Sequence, residues 1–255
     1  MIFSITEIVW AATTLLVFIC AIRIYRLYRK TKDETLKNYN KFFIFSGFGF
    51  LGLTLADPII ADKFFMKLSV VAGLFFMYLG LSYLAKIAAQ FAYPKFASKV
   101  FWTVIAGDVA AVLVNIKYYL FSPGRSPFLD PKTGAFIVDI PMLAAILIVV
   151  LSVAALIVPG VVFVRMANRS ADQEVKTKGT LVSWGLIFFG FGGLMCGFAN
   201  ILSSRVSPAV MSASNLFIAL AIMLLFAGVF YVVERRAPKT ISVKTITAAS
   251  SRIQW

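Results

Sequence analysis

Seven long apolar runs alternate with short polar segments along the chain: Ile5–Tyr25, Phe42–Ile60, Phe64–Phe91, Val100–Phe121, Pro141–Val164, Thr180–Leu202 and Pro208–Val233. None shows the period-two alternation of a half-buried strand, and each is long enough to cross a hydrocarbon core of roughly 30 Å as a helix rising about 1.5 Å per residue. The pattern predicts an all-α polytopic membrane protein with seven transmembrane helices. The polar connections Arg26–Lys41 and Arg165–Gly179 are expected to prolong the helices before them by a turn or two. Pro159 is expected to kink the fifth helix.

Composition removes the soluble alternative. The residues are 60% apolar and 14% charged, against about 45–50% and about 25% in soluble domains. Too few polar side chains remain to cover so much apolar surface. The first run lacks a basic segment before it and exceeds the apolar core of a cleavable signal, so it is expected to be retained as a helix.

Charge orients the bundle. Arg23–Lys41 holds seven basic residues, which places that end of the first helix inside by the positive-inside rule. Alternation from there gives the inner segments 19 of the 25 Lys and Arg with five acids, and the outer segments six with five. The N-terminus is therefore expected outside and the C-terminus in the cytoplasm of a multi-pass cell-membrane protein. The net charge of +14 is a property of topology. It implies anionic lipid as partner at the inner face and no nucleic acid.

One connection differs from the rest. Ser122–Ile140 carries Asp130-Pro131 and Gly134 before Phe136, Ile137 and Val138, turn formers followed by strand formers. A small extracellular β-hairpin between helices 4 and 5 is expected, either as surface decoration or as a lid.

The chain also matches itself. Phe45–Ile59 (FSGFGFLGLTLADPI) and Phe188–Leu202 (FFGFGGLMCGFANIL) share six of fifteen positions, with Asp57 opposite Asn200. Upstream, Arg26, Asp33 and Lys37 match Arg165, Asp172 and Lys176 after a shift of four residues; downstream, Gly80 and Tyr83 match Gly228 and Tyr231. Apolar composition inflates such matches. A real repeat gives a three-plus-one-plus-three bundle with parallel halves, one of the symmetries of transporters. The seven-helix domain would span residues 1–235, with halves about 5–92 and 141–235 and a linker helix about 100–121. Residues 236–255 form a basic, Ser/Thr-rich tail.

Candidate chemistry is sparse. The chain has no histidine, which removes Ser-His and Cys-His nucleophiles, the zinc-protease motifs and the usual haem ligand. No metal site, cofactor or enzymatic activity is expected. Cys20 and Cys196 fall at different depths, so no disulfide is expected. Asp108 lies mid-way along helix 4, where a carboxylate costs several kcal/mol unless paired or neutralised. With Asn115 on the same face, it is a candidate proton or cation site, or else a packing contact. Asp57, Asn200 and Asn215, with Lys67, Lys117 and Glu7, could line an outer vestibule, although Asp57-Pro58 also suits a helix end. The glycines of Gly47–Gly52 and Gly190–Gly197 allow close helix packing or mark a binding site.

The seven-helix architecture with an outer N-terminus resembles that of the microbial rhodopsins, yet Pro208–Val233 contains no lysine to hold retinal. It also resembles the sugar-facilitator and PQ-loop families in size, orientation and order, but no Pro-Gln pair occurs in the chain. The function expected is a small-solute or ion carrier with a path between the halves, lined by Asp108, Asn115, Asp57, Asn200 and Asn215. The alternative is a receptor-like sensor or a non-catalytic subunit working with a partner membrane protein.

Overall fold

The computed structural model describes residues 5–56, 63–121, 128–129, 136–202 and 208–236. Among them are seven long helices: α1 (Ile5–Thr31), α2 (Glu34–Ala56), α3 (Lys63–Ala92), α4 (Ala97–Ile116), α5 (Met142–Asn168), α6 (Gln173–Leu202) and α7 (Pro208–Arg236). All but α2 are long and apolar enough, in the described residues, to span a membrane. The apolar part of α2 runs from Phe42 to Ala56, where the described segment stops. Large apolar side chains stand exposed around the bundle, among them Leu15, Leu113 and Leu216, each at least 60% exposed. Such a surface suits hydrocarbon and not water. The fold is consistent with a multi-pass integral membrane protein.

The polar connections are more helical than their composition suggests. Helix α1 runs six residues past Tyr25 to Thr31, and α2 starts at Glu34. The turn between them is closed by Lys32 in the left-handed region (φ 57°), whose N–H donates to Tyr28 O at 2.7 Å. Asp33 then caps α2, its Oδ1 accepting from Thr35 N at 2.7 Å. Asp172 does the same for α6, accepting from Glu174 N at 2.8 Å. Lys37 pairs with Glu34 at 3.0 Å, and Lys178 with Glu174, across the first turns of these two helices.

Helix α5 is not a plain α-helix. Residues Met142–Leu151 and Val158–Asn168 are α-helical, and Ser152–Ile157 between them forms a π turn. The cause is Pro159, which has no N–H and whose ring would press on the carbonyl four residues back; a wider turn relieves both. A second π turn, Lys117–Phe121, ends α4.

Phe128–Leu129 pairs antiparallel with Phe136–Ile137, Phe128 opposite Ile137 and Leu129 opposite Phe136. The turn expected at Asp130–Gly134 lies outside the described residues, as do Asp57, Pro58 and the tail beyond Arg236.

Within each group of three, neighbours in sequence are neighbours in space: α1 packs on α2 and α2 on α3, as α5 packs on α6 and α6 on α7. Two seams join the groups. One brings α3 against α5, where Phe91 and Phe163 stack with centroids 4.8 Å apart. The other brings α7 against α1. Helix α4 lies outside this ring of six, touching α3 and α5, and only 22% of its apolar stretch is buried.

Candidate functional site

The axis of the six-helix ring holds two cavities. The first has a volume of about 130 Å³ and lies at the end of the bundle that carries residues 138–140, with Val138 and Ile140 in its lining. Trp10 of α1, Phe50 and Leu53 of α2, Tyr78 of α3, Ser152 of α5, Gly193 of α6 and Asn215 of α7 stand on its wall. All six ring helices contribute and α4 does not. The π turn of α5 presents Ser152 to this wall, where a Cβ on Gly193 would collide with the Ser152 hydroxyl.

The second cavity, of about 690 Å³, lies at the basic end. Lys30 and Thr31 of α1, Tyr39 of α2, Phe91 of α3, Phe163 of α5 and Lys178 of α6 line it, together with Gly228 of α7. It is larger than the first and less apolar, with Lys30, Asp33 and Lys178 in its lining.

A layer of side chains stands between them. Along α2, Tyr39 belongs to the basic-end cavity and Phe50 to the other, with Phe42 and Phe43 fully buried in between. The same order holds on α6 around Leu186, on α7 around Ile222 and Leu225, and on α1 around Val17 and Ile24, all with no exposed surface. Phe42, within this layer, meets Phe189 on the wall of the small cavity edge to face, at 5.8 Å between centroids.

At the opposite end the chain folds over the small cavity. Val138 and Ile140, 4% and 8% exposed, form part of its wall. Their backbone is pinned twice. Asn200 Oδ1 accepts from Ile140 N at 2.7 Å while its Nδ2 donates to Cys196 O at 2.8 Å, and Tyr119 Oη donates to Asp139 O.

The residues singled out in the sequence are thus distributed, and not gathered at one point. Asn215 is on the wall of the small cavity, buried, with Nδ2 unpartnered among the described residues. Asn115 is one contact away: its Nδ2 donates to the hydroxyl of Tyr78, itself a wall residue, at 3.1 Å and to Ala111 O at 2.9 Å. Asp108 is 4% exposed and faces α3, where Ser82 Oγ donates to its Oδ2 at 2.5 Å. Its Oδ1 has no partner among the described residues. Asn200 holds the segment over the cavity, and Asp57 lies outside the described residues. Both cysteines are free. No cluster of His, Cys, Asp or Glu among the described residues could hold a metal ion.

Polar scarcity could not have revealed Tyr78, Ser152 or the Phe42–Phe189 contact. A tyrosine, a serine and two phenylalanines are unremarked in apolar helices until the fold brings them to one axis.

No protein-family model matches the chain, and no curated protein matches it significantly.

Proposed function

We propose that this protein is a carrier or facilitator for a small solute, without enzymatic activity, whose path runs along the axis between two three-helix halves. One observation carries the reading: two cavities on that axis, one toward each end, with fully buried apolar side chains between them. That is the arrangement of an occluded path. The basic-end cavity would serve as one vestibule, and the segment 138–140, with the paired strands before it, as a hairpin lid over the other. Of the candidate residues, Asn215 would contact the solute, Asn115 would act through Tyr78, and Asp108 would act on α3 through Ser82. Asn200 and Asp57 would belong to the lid end.

The repeat supports the same reading. In α2, Gly47 faces Phe18 of α1; in α6, Gly190 faces Ile157 of α5. Gly49 faces Met77 of α3, and Gly192 faces Ile218 of α7. Asn40 donates to Ala21 O at 2.8 Å, and the matching Ser183 carbonyl sits against Gly160. Phe18 and Ala21 stand as far in sequence from Ile157 and Gly160 as Arg26 does from Arg165. Packing and sequence match thus share one register, which supports a repeat over a compositional coincidence. Each seam, α3 on α5 and α7 on α1, joins a third helix to a first helix, as a two-fold relation requires. Gly80 and Gly228 fall outside the correspondence. Gly80 packs on Ser46, but Gly228 packs on Val182, two turns from the position that would match.

The orientation we propose has the N-terminus and lid outside and the basic end in the cytoplasm against anionic lipid. Reconstituted, purified protein should accelerate equilibration of a small neutral solute across liposomes. Saturable binding without any flux would select the receptor-like alternative, since a sensor could use the same cavity. Neither binding nor flux would leave the subunit of a larger membrane complex.

A further inference from the structure

We propose that the small axial cavity takes an uncharged, largely apolar molecule of about five to eight non-hydrogen atoms bearing one hydrogen-bond acceptor, and that the Asn215 side-chain amide holds that acceptor. What becomes of the bound molecule rests on the carrier reading; its binding does not.

Size sets the first limit. A cavity of about 130 Å³ is slightly smaller than an engineered apolar cavity of about 150 Å³ that stays dry and binds benzene. One small ring fits. A disaccharide or a nucleotide does not.

The wall sets the second limit. Among the described residues, no Asp, Glu, Lys or Arg lines the cavity. An ion there would lose its hydration without gaining a counter-charge, which is among the costliest transfers a protein interior can impose. Inorganic ions and zwitterions are therefore excluded from this site in the observed state. A polyol is excluded too, because the wall offers too few polar groups to replace its water.

The free valence sets the third. Two of the polar wall groups already have a partner: Ser214 Oγ gives its proton to Gly192 O at 2.7 Å, and the Tyr78 hydroxyl accepts from Asn115 while keeping its own proton. Asn215 is different. It is 8% exposed, it lines the cavity, and its Nδ2 has no partner among the described residues. A buried amide donor without an acceptor is destabilising. A ligand carbonyl or ether oxygen would satisfy it while the rest of the molecule meets Phe50, Leu53, Leu74 and Ile218.

Three probes of one shape test this on the purified full chain: cyclopentanone, cyclopentane and cyclopentanecarboxylate. Affinities are read from the ligand dependence of the melting temperature. Cyclopentanone should bind best, cyclopentane less well, and the carboxylate not at all. Asn215→Leu should weaken cyclopentanone about tenfold, the loss of one hydrogen bond, and leave cyclopentane unchanged. Leu74→Trp, which fills the cavity, should abolish both. Ile148→Phe, a smaller addition at the same wall, replaces it if that variant does not fold. The proposal is overturned if Asn215→Leu affects both neutral probes equally, if the carboxylate binds as well as the ketone, or if the filled cavity still binds. Cyclopentanone binding without flux in liposomes would keep this inference and remove the carrier reading. Flux of a charged solute by protein that does not bind cyclopentanone would do the reverse.

Discussion

Phe42 of α2 and Phe189 of α6 meet with their ring planes 69° apart, Phe42 between the two cavities and Phe189 on the wall of the small one. This contact ties together the second helices of the two halves, which otherwise face each other across the path. Removing either ring should cost about 3–5 kcal/mol by the usual penalty for a large side chain truncated in a packed interior. It should also connect the cavities. Cys196, on the wall of the small cavity, provides the readout. In Phe42→Ala, a water-soluble thiol reagent applied at the basic end should label Cys196 much faster than in the parent. Unchanged labelling in a folded variant would mean that another layer keeps the cavities apart.

The helices were legible in the sequence because hydrocarbon demands long apolar runs, and that demand overrides local propensity. What the sequence concealed follows from the same demand. The axial wall is itself apolar, so the residues that shape it look like those that face lipid. A search for isolated polar groups therefore finds helix-to-helix contacts first: Asp108 on Ser82, Asn115 on Tyr78, Asn200 on Ile140. Of the candidates, Asn215 alone among the described residues lines the small cavity. The π turn of α5 was half legible. Pro159 announced a distortion, but not that it would be a widened turn delivering Ser152 to the wall.

Glycines at the α2–α3 contact should be intolerant. A Cβ at Gly52 would come within 2.8 Å of Gly73 Cα and 3.1 Å of Ser69 O, both backbone atoms that cannot swing aside. Gly52→Ala is expected to destabilise by about 1–3 kcal/mol, the range for overpacking. Gly107→Ala is the counter-case: its nearest neighbour is the Leu151 side chain at 3.4 Å. There the gain in helix propensity should prevail, by up to about 1 kcal/mol. Melting temperatures of the two variants in one detergent decide it, and equal shifts would contradict the packing described.

Topology is testable without knowing the solute. Arg23–Lys41, a segment proposed to lie inside, carries seven basic residues, so the inverted topology would place a large positive charge outside against the usual bias. A reporter fused after Trp255 should be cytoplasmic, and one inserted near Lys132 external. A cysteine placed in Arg26–Lys41 that reacts with an impermeant reagent on intact cells would invert the map.

Asp108 separates a coupling role from a structural one. Its Oδ2 accepts from Ser82 Oγ, while Oδ1 is buried without a partner among the described residues. Asparagine preserves the shape and can still accept from Ser82, so Asp108→Asn should leave thermal stability within about 1 kcal/mol of the parent. Leucine cannot accept, and Asp108→Leu should cost about 1–3 kcal/mol by stranding the Ser82 hydroxyl. Ser82→Ala combined with each change closes a double-mutant cycle. The leucine penalty should largely vanish when Ser82 is already gone. Flux then distinguishes the roles. If α3 moves in response to the carboxylate through Ser82, Asp108→Asn should abolish flux in liposomes despite its intact fold, since asparagine cannot carry the charge. Parental flux in the asparagine variant would reduce Asp108 to a polar clip between α3 and α4 and leave the path to the ring of six.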